Sequence, residues 1–197
     1  MPESRSSRRS AFGNYVRDHL ASILAILVSV VSLGVALSSN RTQEKLLAAS
    51  SWPALEAGTG NRSDDGIDVI TLVLGNNGVG PARLRGVQVF YKGTFAGDAR
   101  GLLKQCCGLG DNPFNDVTSG TRGRVLKAGD QIILMALPKE TNGDELWKRF
   151  NRARFDVTVG ACYCSVLDDC WIFDSTRMDP EPVRSCPALP AEEEWSG

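Results

Sequence analysis

Phe155-Asp156-Val157-Thr158-Val159-Gly160-Ala161-Cys162-Tyr163-Cys164 is the stretch whose two parities decide the fold. Side chains alternate across a strand, so Phe155, Val157, Val159, Ala161 and Tyr163 share one face. Asp156, Thr158, Gly160, Cys162 and Cys164 share the other. The first set predicts the side turned to a core. The second places two cysteines on the more polar side, away from it. Bridges from there are expected to pin covering segments, such as the loop 105–120 or the tail holding Cys186, onto the outer face. That arrangement differs from the buried inter-sheet bridge of antibody domains. Leu167-Asp168-Asp169 then reads as a hairpin turn, with Trp171 to Phe173 opening the returning strand.

Working outward, the pattern stays mainly β. Ile67-Asp68-Val69-Ile70-Thr71-Leu72-Val73-Leu74 is a near-continuous β-branched and apolar run, as in a central strand. Gly75 to Pro81 is dense turn chemistry, and Val87, Val89 and Tyr91 alternate with Gln88 and Lys92. Residues 96–124 read as a long insertion with a short helix around Ala99–Gln105. Gln131 to Leu137 is another apolar strand, reached through Ala128-Gly129-Asp130. Asn142 and Glu145 have capping-box spacing, and Leu146, Trp147 and Phe150 fall on one helical face. Past Pro180 the chain is Pro-rich and ends in Glu192-Glu193-Glu194-Trp195, which reads as an acidic, mobile tail.

Towards the N-terminus the chemistry changes. Leu20 to Asn40 carries no charged residue, and at the helical rise it spans about 30 Å, enough to cross a bilayer. Arg5, Arg8, Arg9 and Arg17 precede it against Glu3 and Asp18, which the positive-inside rule places in the cytoplasm. The run is long for a signal h-region, so an uncleaved anchor is expected over a cleaved signal peptide. The implied organisation is a cytoplasmic tail 1–18, disordered over residues 1–13, and a transmembrane helix 19–40. A juxtamembrane helix or linker 41–51 follows, then a β-sandwich domain 52–186 and a disordered acidic tail 187–197. Trp52-Pro53 ends the juxtamembrane helix, because proline holds its predecessor extended.

All six cysteines, Cys106, Cys107, Cys162, Cys164, Cys170 and Cys186, follow the apolar run. An even count confined to one side suits an oxidising compartment and disulfides. Adjacent Cys106 and Cys107 are expected to meet separate distant partners, because a bridge between neighbours strains the peptide. Cys162-x-Cys164 with Cys170 and Cys186 is the one candidate metal or redox cluster. Metal sites favour Cys-x2–4-Cys knuckles and histidine, whereas the single histidine, His19, lies at the membrane edge. Structural disulfides are therefore expected, with no metal, no cofactor and no catalytic residue. Asp168, Asp169 and Asp174, or Asp64, Asp65 and Asp68, lack the calcium-hand pattern and read as solvated turns. Gly75-x-x-Gly78-x-Gly80 opens no helix, since Pro81 and a strand follow, so it reads as a turn rather than a phosphate loop. The net charge of −1 provides no field for nucleic acid, and none is expected as a partner.

Leu74-Gly75-Asn76-Asn77-Gly78-Val79-Gly80-Pro81-Ala82, with Val87-x-Val89 and the later Leu126-Lys127-Ala128-Gly129-Asp130, resembles immunoglobulin-like modules of bacterial envelope proteins. The resemblance covers about a third of the chain. With the apolar run, the expected fold is mainly β: a single N-terminal transmembrane helix followed by an Ig-like β-sandwich with one or two short helices, the 96–124 insertion and the 142–152 helix departing from a minimal sandwich. The resemblance implies a binding or scaffolding module; the apolar run and its flanking charges place it at the inner membrane, the domain periplasmic or extracellular, with the lipid bilayer and another envelope protein as expected partners. The alternative is an envelope enzyme or metal/redox protein built on Cys162, Cys164 and Cys170.

Overall fold

A computed structural model describes residues 5–196, with side chains described for 19, 20 and 22–196. The chain is mixed rather than mainly β, with 34% helix and 31% strand in two antiparallel sheets. It divides into two compact units after Leu47.

The first unit is one helix. α1 runs Arg5–Ser50, its last residues belonging to the second unit. It begins at Arg5, where a disordered segment was expected to residue 13. No proline interrupts the run, and extending a formed helix costs far less than nucleating one. Within it, Ser22–Ser50 is long and apolar enough to cross a membrane or to act as a signal. Leu24, Leu27, Val28 and Val31 are exposed on one side and Ser22, Ala25, Ser29 and Ser32 lie on the other, so no side of the Leu20–Asn40 stretch carries a charged residue.

The second unit holds both sheets. β1 (Leu55–Gly60), β2 (Val69–Asn76) and β6 (Gln131–Pro138) form the first, with β2 central. Burial alternates along β2, with Ile70, Leu72, Leu74 and Asn76 inward. The apolar run thus has one deep face, not two. The second sheet has β4 (Thr94–Phe95), β3 (Ala82–Tyr91), β7 (Val157–Cys164), β8 (Cys170–Asp174) and β9 (Glu181–Val183) in that order. β5 (Val125–Leu126) pairs with the start of β3. Leu72, Leu74, Leu134, Val87, Val89, Val159, Ala161 and Tyr163 share one apolar core contributed by both sheets. Phe155 leaves the expected inward row. It sits in a single 3-10 turn, Arg154–Asp156, where the strand period does not apply, and it is exposed beneath the Arg154 guanidinium.

Asn76 explains why the turn residues occur where they do. It is fully buried. Its Oδ1 accepts from the Ala54 and Gly78 amides, and its Nδ2 donates to the carbonyls of Gly80, Leu126 and Lys127. One side chain thus ties the segment before β1, the β2–β3 turn and the β5–β6 turn together. Gly80 has no room for a side chain, since a Cβ would lie 2.1 Å from the Ser51 carbonyl oxygen.

Two helices close the core. α2 (Ala99–Cys107) lies where a helix was expected. It is capped by Asp98, which accepts from the Gly101 amide at 2.6 Å, and stopped by Gly108 in the left-handed region. α3 (Lys139–Ala153) buries Trp147 and Phe150. The capping box is not formed. Gly143, at φ 74°, kinks the helix, which begins a turn earlier at Lys139. Asn142 is used elsewhere, bonding the Asn115 amide and carbonyl and the Pro138 carbonyl. Glu145 pairs with Arg149 instead.

The segment after Cys186 is the largest departure from expectation. Trp195 is 2% exposed, donates its indole N–H to the Leu134 carbonyl at 3.2 Å, and joins the core. Its amide reaches Val87, and the Ser196 amide reaches Gly97. A single indole provides more apolar area than the three preceding glutamates cost, because two of those stay exposed and the third is paired. The folded unit therefore continues past 186, and residues 187–196 form a packed strap.

Candidate functional site

The outer face of the second sheet is built from residues that leave it open. Strand register sets Gly86 opposite Cys162, Gln88 opposite Gly160 and Phe90 opposite Thr158. It also sets Gly160 opposite Asp174, and Cys162 opposite Ile172. Gly160 therefore leaves bare backbone between Phe90 and Asp174, where a Cβ would meet Phe90 Cε2 at 3.6 Å. Gly86 makes room for the strap, since a Cβ there would stand 2.6 Å from Leu189 Cδ1. The result is a groove of about 330 Å³, floored by these strands and walled by Pro187 and Leu189. Asp174 is the one charged residue lining it. Its Oδ1 accepts from the Thr176 amide and hydroxyl at 2.9 and 2.8 Å, and these bonds hold its carboxyl below the usual range.

Disulfides hold that face together. Cys162 bridges Cys186 and so pins the strap to β7, the outward anchoring expected from strand parity. Cys164 bridges Cys170, its direct partner in the β7–β8 register. The two bridges touch: Cys164 Sγ lies 3.8 Å from Cys186 Sγ, and the sulfurs of Cys164, Cys170 and Cys186 all fall within 4.8 Å of one another. Cys162, Cys164 and Cys170 are buried, whereas Cys186 is partly exposed.

The remaining pair overturns an expectation. Cys106 and Cys107 are bonded to each other at the end of α2. The other four cysteines are consumed among β7, β8 and the strap, so no distant partner is left for either.

A second concavity, about 650 Å³, lies where the strap meets the loop before β5. Glu194, 7% exposed, accepts there from Arg122 Nε and Nη2 at 2.9 and 2.7 Å, and Thr121 Oγ1 donates to the Trp195 carbonyl. This geometry clamps the strap through Oε2 of Glu194, while the buried Oε1 has no hydrogen-bond partner among the described residues. Individual members of the acidic triplets are engaged. Asp168 pairs with Arg83, and Asp68 with Lys139 at 3.0 Å, a bond that lowers the Asp68 carboxyl and raises Lys139. His19 lies on α1, outside the unit that holds the cysteines.

The six cysteines were legible as disulfide formers, and parity predicted outward bridges to a covering segment, with the 105–120 loop and the tail holding Cys186 both open. The groove was not. Its signal was present in Gly86 and Gly160, glycines inside otherwise regular strands, the first of which marks close approach by another segment, here Leu189. Trp195 gave a second cue, a large apolar residue closing an acidic run. No protein-family model, no curated protein and no solved structure matches the chain.

Proposed function

We propose that the chain is a single-pass membrane protein, N-terminus in the cytoplasm, that displays a disulfide-braced Ig-like module beyond the inner membrane. Its role is to bind or scaffold another envelope protein, with the bilayer as its first partner. The observation that carries the reading is the division of chemistry along the chain. A helix with a charge-free stretch long enough to span a bilayer comes first, and every cysteine follows it, each one bridged. Thiols stay paired in oxidising compartments and reduced in the cytosol, so this division supports a domain on the far side of a membrane. The groove beside Leu189 supports binding, since it is concave, largely apolar and carries one orienting carboxylate.

Membrane-impermeant maleimide on intact cells, with and without prior reduction, tests the reading. Labelling that appears only after reduction is the expected result. Labelling that needs cell lysis but no reduction overturns it. Photo-crosslinking from a residue analogue placed at Leu189 then tests the binding role, with a discrete protein adduct expected and lost on Gly160→Phe.

The contact between the two bridges supports a second reading, a metal or redox centre at Cys162, Cys164, Cys170 and Cys186. Stoichiometric zinc in protein purified under reducing conditions tests its metal half.

A further inference from the structure

Four sulfurs in two touching bridges have more than one way to pair. The Cys162–Cys186 bridge and the Cys164–Cys170 bridge are joined by a 3.8 Å approach between Cys164 Sγ and Cys186 Sγ. We infer that these sulfurs form one exchange unit that accepts two electrons from a dithiol and answers by moving the strap's anchor from Cys162 to Cys164. The inference rests on the redox half of the second reading and is independent of what the domain binds.

The chemistry balances as follows. A thiolate of the dithiol attacks Cys186 Sγ, the only sulfur of the four on a residue that is not buried. The Cys162–Cys186 bond breaks, and Cys162 leaves as a thiolate that takes a proton. The second thiol of the reductant, deprotonated, attacks its own partner sulfur. It closes the oxidised reductant and releases Cys186 as a thiolate. Cys186 then attacks Cys164 Sγ, and the Cys164–Cys170 bond breaks. Cys170 departs and takes the second proton. One dithiol becomes one disulfide, and the domain goes from two bridges to one bridge and two thiols.

The surroundings favour the migrated form. The Asp168 carbonyl lies 3.4 Å from Cys170 Sγ, so the released thiol has a hydrogen-bond acceptor already in place. Cys162 and Cys164 are two residues apart on one face of β7, so the point of attachment moves by about 7 Å along the strand, while Cys186 Sγ has only to close the 3.8 Å gap to Cys164 Sγ. Pro187 and Leu189 follow Cys186 directly and wall the groove, so the shift changes the groove while the strap stays covalently held.

The test uses the full-length protein in detergent. It is titrated with dithiothreitol, quenched with acid and alkylated with maleimide. Cleavage after Tyr163 and before Asp169 and Asp179 leaves each of the four sulfurs on its own fragment for mass spectrometry. In molecules carrying two maleimides on this cluster, the expected labels fall mostly on Cys162 and Cys170, with fragments of Cys164 and Cys186 joined. Labels mostly on Cys162 and Cys186, or on Cys164 and Cys170, overturn the inference. So does direct passage to four thiols. Cys162→Ser provides a check without reductant: the maleimide is expected on Cys170, and its appearance on Cys186 is the contrary result. Zinc bound by the fully reduced protein would speak to the metal half of the reading and leaves these label positions unchanged.

Discussion

The two faces of the second sheet use the same strands to opposite ends. Inward, β3 and β7 present Val87, Val89, Val159, Ala161 and Tyr163, which close against the first sheet by packing alone. Outward, the same strands present Gly86, Gln88, Gly160, Cys162 and Cys164, which pack poorly and are closed by covalent bonds and a strap. One face is stabilised by removing apolar area from water. The other is stabilised by limiting the freedom of the unfolded chain. Since the strap contributes Trp195 to the inner core and Leu189 to the outer groove, it is the one segment that joins the two modes.

Removing Trp195 should therefore do the most damage. Trp195→Ala empties a buried indole site and strands the Leu134 carbonyl, and it is expected to cost about 3–5 kcal/mol. Denaturant unfolding of the full-length protein, bridges intact, measures it. A loss below about 1 kcal/mol would mean the strap belongs to the outer face only, and the contrast between faces would fail.

Next in size is the covalent closure. Replacing both Cys162 and Cys186 with Ser opens a link between residues 24 apart and should cost about 2–4 kcal/mol. The same double substitution should speed protease cleavage around Arg184, which is exposed beside the bridge. Unchanged proteolysis would show that the bonds of Trp195 and Glu194 hold the strap without help. Gly86→Ala is smaller. The new methyl meets the flexible end of Leu189, not backbone, so a loss of about 1 kcal/mol is expected in the same unfolding measurement.

These contrasts also show what a linear sequence reveals. The inner face was legible because burial imposes period-two apolarity, and Val159, Ala161 and Tyr163 are where parity puts them. That the β7 cysteines point outward to a covering segment was legible for the same reason, but which segment, the 105–120 loop or the tail with Cys186, was not. Three further features were not legible. Phe155 kept the parity of the strand but lies in the turn before it, and parity alone carries no information about where a strand starts. Asn142 matched a capping box, yet Gly143 in the left-handed region kinks the helix there, so the side chain serves the Asn115 loop. The acidic end reads as solvated by composition, because composition averages over Trp195 and over Arg122, which lies 72 residues from Glu194. Long-range partners of this kind leave no local pattern.

Tyr163 gives the finest test of the inner face, because its effect is silent at neutral pH. The side chain is fully buried, its hydroxyl meets the Leu55 backbone without a well-formed hydrogen bond, and burial outweighs that contact and pushes the phenol from 10.0 up to about 12. In the unfolded chain the same phenol ionises near its ordinary value. Between pH 10.0 and about 12 the unfolded state therefore binds fewer protons than the folded one, and stability falls as pH rises. Below that window the contribution is fully present. Tyr163→Phe removes the titration. It should leave stability at pH 7 nearly equal, since the buried hydroxyl that is lost is poorly paired, and should flatten the alkaline limb of the stability curve. Asp68, Asp144 and Asp174, all held low, set the opposite limb: stability falls as pH drops through their folded values, whatever residue stands at 163. An alkaline limb identical in Tyr163→Phe and the parent would place the phenol in water, and the inner face could no longer be described as closed by packing alone.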